Sequence, residues 1–168
     1  FLGLVGTNST DDEIPIPLLS PEREGALEYD LTKMIYNLSN PKKRVIGLLA
    51  GLPVVSSAPD PSTGRSTSRE WGVITLLREI YEVRELDAEI TQIDEDIDTL
   101  IVIHPKEFPE KALYAIDQFV IKGGRALVFV DPFAEEDRPE RDPSNPMLMP
   151  EISSTLDPIF EKWGISMA

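Results

Sequence analysis

The chain contains no cysteine, and that one absence removes thiol nucleophiles, iron–sulfur ligation, thiolate zinc sites and disulfides together. It leaves the redox compartment open, because a cysteine-free domain is stable on either side of a membrane. Long apolar runs are missing too: no stretch approaches the roughly 18 residues that a membrane-spanning helix requires. The first residue is Phe1, with neither methionine nor a signal-peptide pattern. The chain therefore reads as a segment excised from a longer, membrane-anchored protein, touching the membrane only through helices outside it. Basic residues are scarce, 16 against 30 acidic ones, for a net charge of −14. Such a field repels phosphate backbones and anionic lipid, so no nucleic-acid partner is expected. The one dense basic run, Lys42, Lys43 and Arg44, reads as a solvated loop after a helix, where cations complement the helix dipole.

Two further absences concern chemistry. A hydrolase on an α/β sheet sets its nucleophile on a strained turn after a strand, and no Gly-x-Ser-x-Gly motif is present. A phosphate loop needs glycines after a strand and before a helix. Gly123-Gly124 follows a helix and precedes a strand, so it reads as a helix C-cap. Asp94, Glu95, Asp96 and Asp98 lack the glycine and the spacing of a calcium loop and read as a solvated connection. No metal, no cofactor and no catalytic residue is expected.

What is present fits one domain over residues 1–168, 41% of them hydrophobic, enough to build a core without a staple. Phe1 to Val5 reads as a short strand, and Ile14-Pro15-Ile16-Pro17 as an extended stretch barred by proline from central pairing. Residues 1–19 are thus an edge ribbon or arm. Ser20-Pro21-Glu22 starts a helix, with a capping hydroxyl, proline at the first position and an acid at the positive pole. Its stripe is Leu27, Leu31, Met34, Ile35 and Leu38, and Pro41 ends it at Asn40.

Val45 to Ala50, Thr99 to Ile103 and Ala126 to Val130 are unbroken apolar runs, expected as central strands covered on both faces. Tyr81 to Leu86 is a less apolar, edge-like strand. Helical stripes fall between and after these strands: Trp71, Ile74, Leu77 and Ile80; Leu113, Ile116, Phe119 and Val120; Leu156, Ile159, Phe160 and Trp163, ending at Gly164. Alternation of this kind specifies an α/β fold, an open, mostly parallel sheet with helices on both faces. Right-handed crossovers and the edge-like second strand predict a flavodoxin-like strand order 2-1-3-4.

Several segments resemble the GldG-like (gliding-motility type) auxiliary proteins of ABC transporters. They are Leu2 to Asp11, Glu28-Tyr29-Asp30-Leu31-Thr32-Lys33 with Asn40-Pro41-Lys42-Lys43, Leu100 to Pro105, Tyr114 to Phe119, and Gly123 to Pro132. The resemblance implies a domain on the periplasmic or extracytoplasmic side of the bacterial cytoplasmic membrane, paired with an ABC permease and ATPase. It also implies a three-layer sandwich related to class I glutamine amidotransferases, although their nucleophilic cysteine is missing. No catalytic residues carry over.

The chemistry-bearing residues converge on one edge. His104, the only histidine, and Asp131 end neighbouring strands at the carboxyl edge, where open α/β sheets bind ligands. Gly51 and Leu52 follow the first central strand to the same edge. The loops 51–69 and 132–150 should flank it. These four residues form the candidate site for a ligand or partner. The leading reading is a non-catalytic domain that binds transporter subunits, an envelope protein or a glycan. The alternative is a degenerate hydrolase-like enzyme using His104 and Asp131 on a sugar or peptide. A cytoplasmic flavodoxin-like binding protein is a third reading, weakened by the missing phosphate loop.

Overall fold

Proline and glycine punctuate the chain where the sequence places them, and the elements between follow from that punctuation. The computed structural model describes residues 2–56, 69–137 and 150–166. They fall into two units: Phe1–Arg44 with Glu79–Tyr81, and Val45–Arg78 with Glu82–Ala168.

In the first unit, β1 (Leu4–Thr7) and β2 (Glu13–Ile16) form an antiparallel ribbon, with Leu4 opposite Ile16 and Thr7 opposite Glu13. Pro15 sits opposite Val5, tolerated because each strand of a two-stranded ribbon is an edge. The turn is closed by Asn8, whose Oδ1 accepts the backbone N–H groups of Thr10 and Asp12, each at 2.9 Å. Ser20 then caps a 3-10 turn over Pro21–Ala26 by accepting the Glu22 N–H, and α1 (Leu27–Ser39) follows. Met34 is buried, but Ile35 is 60% exposed, so the buried stripe is narrower than the spacing predicts. A Cβ at Gly6 would meet Met34 Sδ and Leu38 Cδ1 at 2.8 Å, so β1 lies against α1 at glycine distance.

The second unit is built on β3 (Val45–Ala50), β4 (Glu82–Glu85), β5 (Ile97–Ile103) and β6 (Arg125–Phe129), all parallel, in the order β4-β3-β5-β6. That is the predicted 2-1-3-4 order. The helices are α2 (Gly72–Ile80), α3 (Glu110–Ile121) and α4 (Asp157–Trp163). The β3–β4 and β5–β6 crossovers run in opposite directions across the sheet, so right-handedness sends α2 and α3 to opposite faces. The result is an α/β three-layer arrangement. On the α3 and α4 face, Leu49, Leu100 and Val102 pack with Ala115, Ile116, Leu156, Ile159 and Phe160. Each of these side chains but Ala115 contributes about 1.5–3 kcal/mol by leaving water. Gly123 (φ 94°) and Gly164 (φ 71°) end α3 and α4 in the left-handed conformation that a C-cap requires.

One expectation needs correction. Ala126 to Val130 is not a central strand, because β6 pairs with β5 alone among the described residues. Val128 and Val130 pack on the core, while Leu127 and Phe129, on the opposite face, are 49% and 52% exposed. The last strand of this order has one neighbour.

Candidate functional site

At the carboxyl edge, β3 and β5 are pressed together by glycine. The Gly51 N–H donates to the Ile103 carbonyl at 2.9 Å, and a Cβ at Gly51 would fall 2.1 Å from the His104 carbonyl oxygen. Beyond Gly51, Leu52 is half-buried and its carbonyl accepts the Val54 N–H at 2.8 Å. His104 leaves β5 at φ 50°, a left-handed conformation that costs a non-glycine residue about 1–2 kcal/mol. Its N–H still bonds the Phe129 carbonyl, and its own carbonyl accepts the Lys106 N–H at 2.8 Å. The resulting tight turn swings Lys106 back over the strand end.

There Lys106 and His104 converge on a residue from the following loop. Lys106 Nζ lies 2.7 Å and His104 Nε2 3.2 Å from the same oxygen, Asp137 Oδ2. Lys106 also donates to the Glu151 carbonyl. The Lys106 hydrogen bond holds the Asp137 carboxyl below its ordinary pKa against the opposing effect of burial, and His104 adds to the depression. The His104 side chain is 2% exposed, and its Nδ1 has no hydrogen-bond partner among the described residues. With Nε2 facing a carboxylate, a neutral ring carries its proton there and leaves Nδ1 a bare acceptor. An unmet buried acceptor costs about 1–3 kcal/mol.

Asp131 occupies the same edge but does other work. Its Oδ1 accepts the Phe133 N–H at 2.8 Å, and its N–H donates to Ser154 Oγ at 3.1 Å. The Ser154 N–H returns a bond to the Asp131 carbonyl, and the Ala134 N–H donates to the Ile152 carbonyl. Residues 131–137 and 152–154 are thereby zipped together, with Ala134 and Ser154 buried. The structure thus brings Gly51 against His104, places Asp131 beyond the adjacent strand, and gives His104 a different carboxylate, Asp137. Lys106, Asp137 and Ser154 escaped the sequence reading. Asp137 ends an acidic run, Glu135-Glu136-Asp137, in which no periodicity marks one residue from the next. Of the two flanking loops, residues 57–68 and 138–149 lie outside the described residues.

Chemically, the cluster ties a loop to a strand end. His104, 2% exposed, and Lys106 share one oxygen of Asp137 and so hold the loop against the strand end.

Residues 43–168 match the family described as an ABC-type uncharacterized transport system, whose members are auxiliary components. An uncharacterized protein of Borreliella burgdorferi is 28% identical over 142 residues, covering 83% of this chain. The chain spans 25% of that relative's length. No solved structure matches. No helix among the described residues is long and apolar enough to cross a membrane. The family match begins just before β3 and takes in the whole parallel sheet with His104, Lys106, Asp131 and Asp137, and the chain belongs to the auxiliary family of ABC-type transport systems.

Proposed function

We propose that this domain is a non-catalytic, extracytoplasmic module of the GldG type. In this reading it joins a partner to the permease and ATPase subunits of its transport system through the carboxyl edge of the sheet. Gly51, Leu52, His104 and Asp131 frame the contact. The observation that carries the reading is the engagement of the polar side chains at this edge. The Asp131 carboxylate closes its own turn, and His104 and Lys106 are spent on Asp137. A preformed, cross-tied edge suits docking, since little ordering entropy is lost on binding. The net charge of −14 favours a neutral or cationic partner, whether an envelope protein, a glycan or a sibling subunit. The enzymatic alternative has against it the burial of His104, whose carboxylate contact, Asp137, is shared with Lys106.

Phe133 is 66% exposed beside Asp131 and offers the test. Full-length protein carrying Phe133→Glu is expected to melt as the parent does yet co-purify poorly with its permease and ATPase. Undiminished recovery of both subunits would place the contact elsewhere. A cysteine introduced at position 133 should react with a membrane-impermeant maleimide in intact spheroplasts, and protection until lysis would put the domain on the cytoplasmic side.

A further inference from the structure

The last helix of the sheet unit repeats a step that the chain has already taken once. α3 carries the crossover from β5 to β6 on one face of the sheet. α4, which follows β6, packs on that same face, where Leu156, Ile159 and Phe160 join Ala115 and Ile116, and Trp163 Nε1 donates to Asp117. The two helices also end alike. In α3 the Gly124 N–H returns to the Phe119 carbonyl past left-handed Gly123, and Arg125 at once begins β6. In α4 the Ile165 N–H returns to the Phe160 carbonyl past left-handed Gly164. Such a turn satisfies the last helical carbonyls and leads the chain from a helix back into a strand.

We propose that the polypeptide from Ile165 onward enters the sheet as a fifth parallel strand, on the outer edge of β6. Handedness decides the side. Helices on one face carry right-handed crossovers in one direction only, so the step from β6 through α4 continues the step from β5 through α3, away from β5. The four strands described are the first four of the order 2-1-3-4-5 common among doubly wound sheets. Among the described residues β6 pairs with β5 alone. The Phe129 carbonyl faces β5, where it accepts the His104 N–H, so strand alternation turns the backbone groups of Ala126 and Val128 to the outer edge. Leu127 and Phe129, 49% and 52% exposed, gain same-face neighbours from an added strand. Proteins of this kind have the chain to supply it, since these residues span 25% of the Borreliella relative. α4 holds the incoming segment beside the edge, so it outcompetes a strand arriving from solution. The carboxyl end of the fifth strand emerges beyond Asp131, and the residues after it widen the edge of Gly51 and His104.

The test is amide hydrogen exchange, resolved to single residues, on the full-length protein purified alone at two concentrations and again with its permease and ATPase. Ala126 and Val128 should exchange as slowly as Leu127 in every sample. A Cβ at Gly164 meets nothing within 4 Å, so substitution there acts through backbone conformation alone. Gly164→Val should speed exchange at Ala126 and Val128 roughly tenfold or more while Ile116 stays slow. Gly164→Asn, which tolerates the left-handed conformation, should keep the protection. Exchange at Ala126 and Val128 far faster than at Leu127 in the protein alone would overturn the proposal. So would protection that needs the transporter subunits, protection that grows with concentration, or protection that Gly164→Val leaves intact.

Discussion

Asp137 is a residue whose role depends on charge. Its carboxyl titrates below its ordinary value of 3.8, chiefly through the Lys106 hydrogen bond. A depressed folded-state pKa means that the carboxylate's stabilisation is complete above the unfolded value and is lost as pH falls through the folded one. Acid should therefore release the 131–137 loop from His104 and Lys106 below about pH 4. Asp137→Asn should remove that acid dependence and destabilise the domain by about 1–3 kcal/mol, because two donors lose a charged acceptor. Asp131→Asn keeps an oxygen for the Phe133 N–H and should stay within about 0.5 kcal/mol of the parent. Urea unfolding of the two variants from acid to neutral pH separates these roles, and equal effects would remove Asp137 as the partner of His104. Gly51→Ala is the harsher change. Its Cβ would meet backbone at 2.1 Å, so β3 and β5 must separate, and a loss of about 1–3 kcal/mol or more is expected in the same experiment.

Among the elements, β5 and β6 differ although both read as aliphatic runs. Leu100 is fully buried, whereas Leu127 is half exposed. Leu100→Ala should cost about 2–5 kcal/mol through lost burial and the cavity left behind. Leu127→Thr should cost about 0.5 kcal/mol or less. Thermal or chemical denaturation of the pair tests whether β6 is an edge, and similar losses would contradict it. Among the described residues β6 pairs with β5 alone, and an edge strand with exposed apolar side chains invites pairing between molecules. Leu127→Lys should accordingly lower concentration-dependent association, read by sedimentation or light scattering, without lowering stability.

For the whole molecule, the dominant physical fact is a net charge of −14. Self-repulsion destabilises the folded state at low ionic strength and is screened as salt rises. Melting temperature should increase from about 10 mM to about 150 mM salt, and a decrease would mean that favourable ion pairs such as those of Arg84 outweigh the repulsion. The amino-acid sequence by itself determined the fold class, the strand order and the helix ends. Apolar runs can be satisfied only by burial in a sheet, and glycine and proline stop helices through local backbone sterics. It also brought Gly51, His104 and Asp131 to one edge, since parallel strands deliver their carboxyl ends together. Tertiary structure alone decided that Leu127 and Phe129 stand exposed on one face of β6, because an aliphatic run does not state what covers each face of a strand. It alone decided that His104 meets Asp137, because the 131–137 loop is positioned by backbone bonds to residues 152 and 154, and such nonlocal pairing leaves no periodicity in the chain.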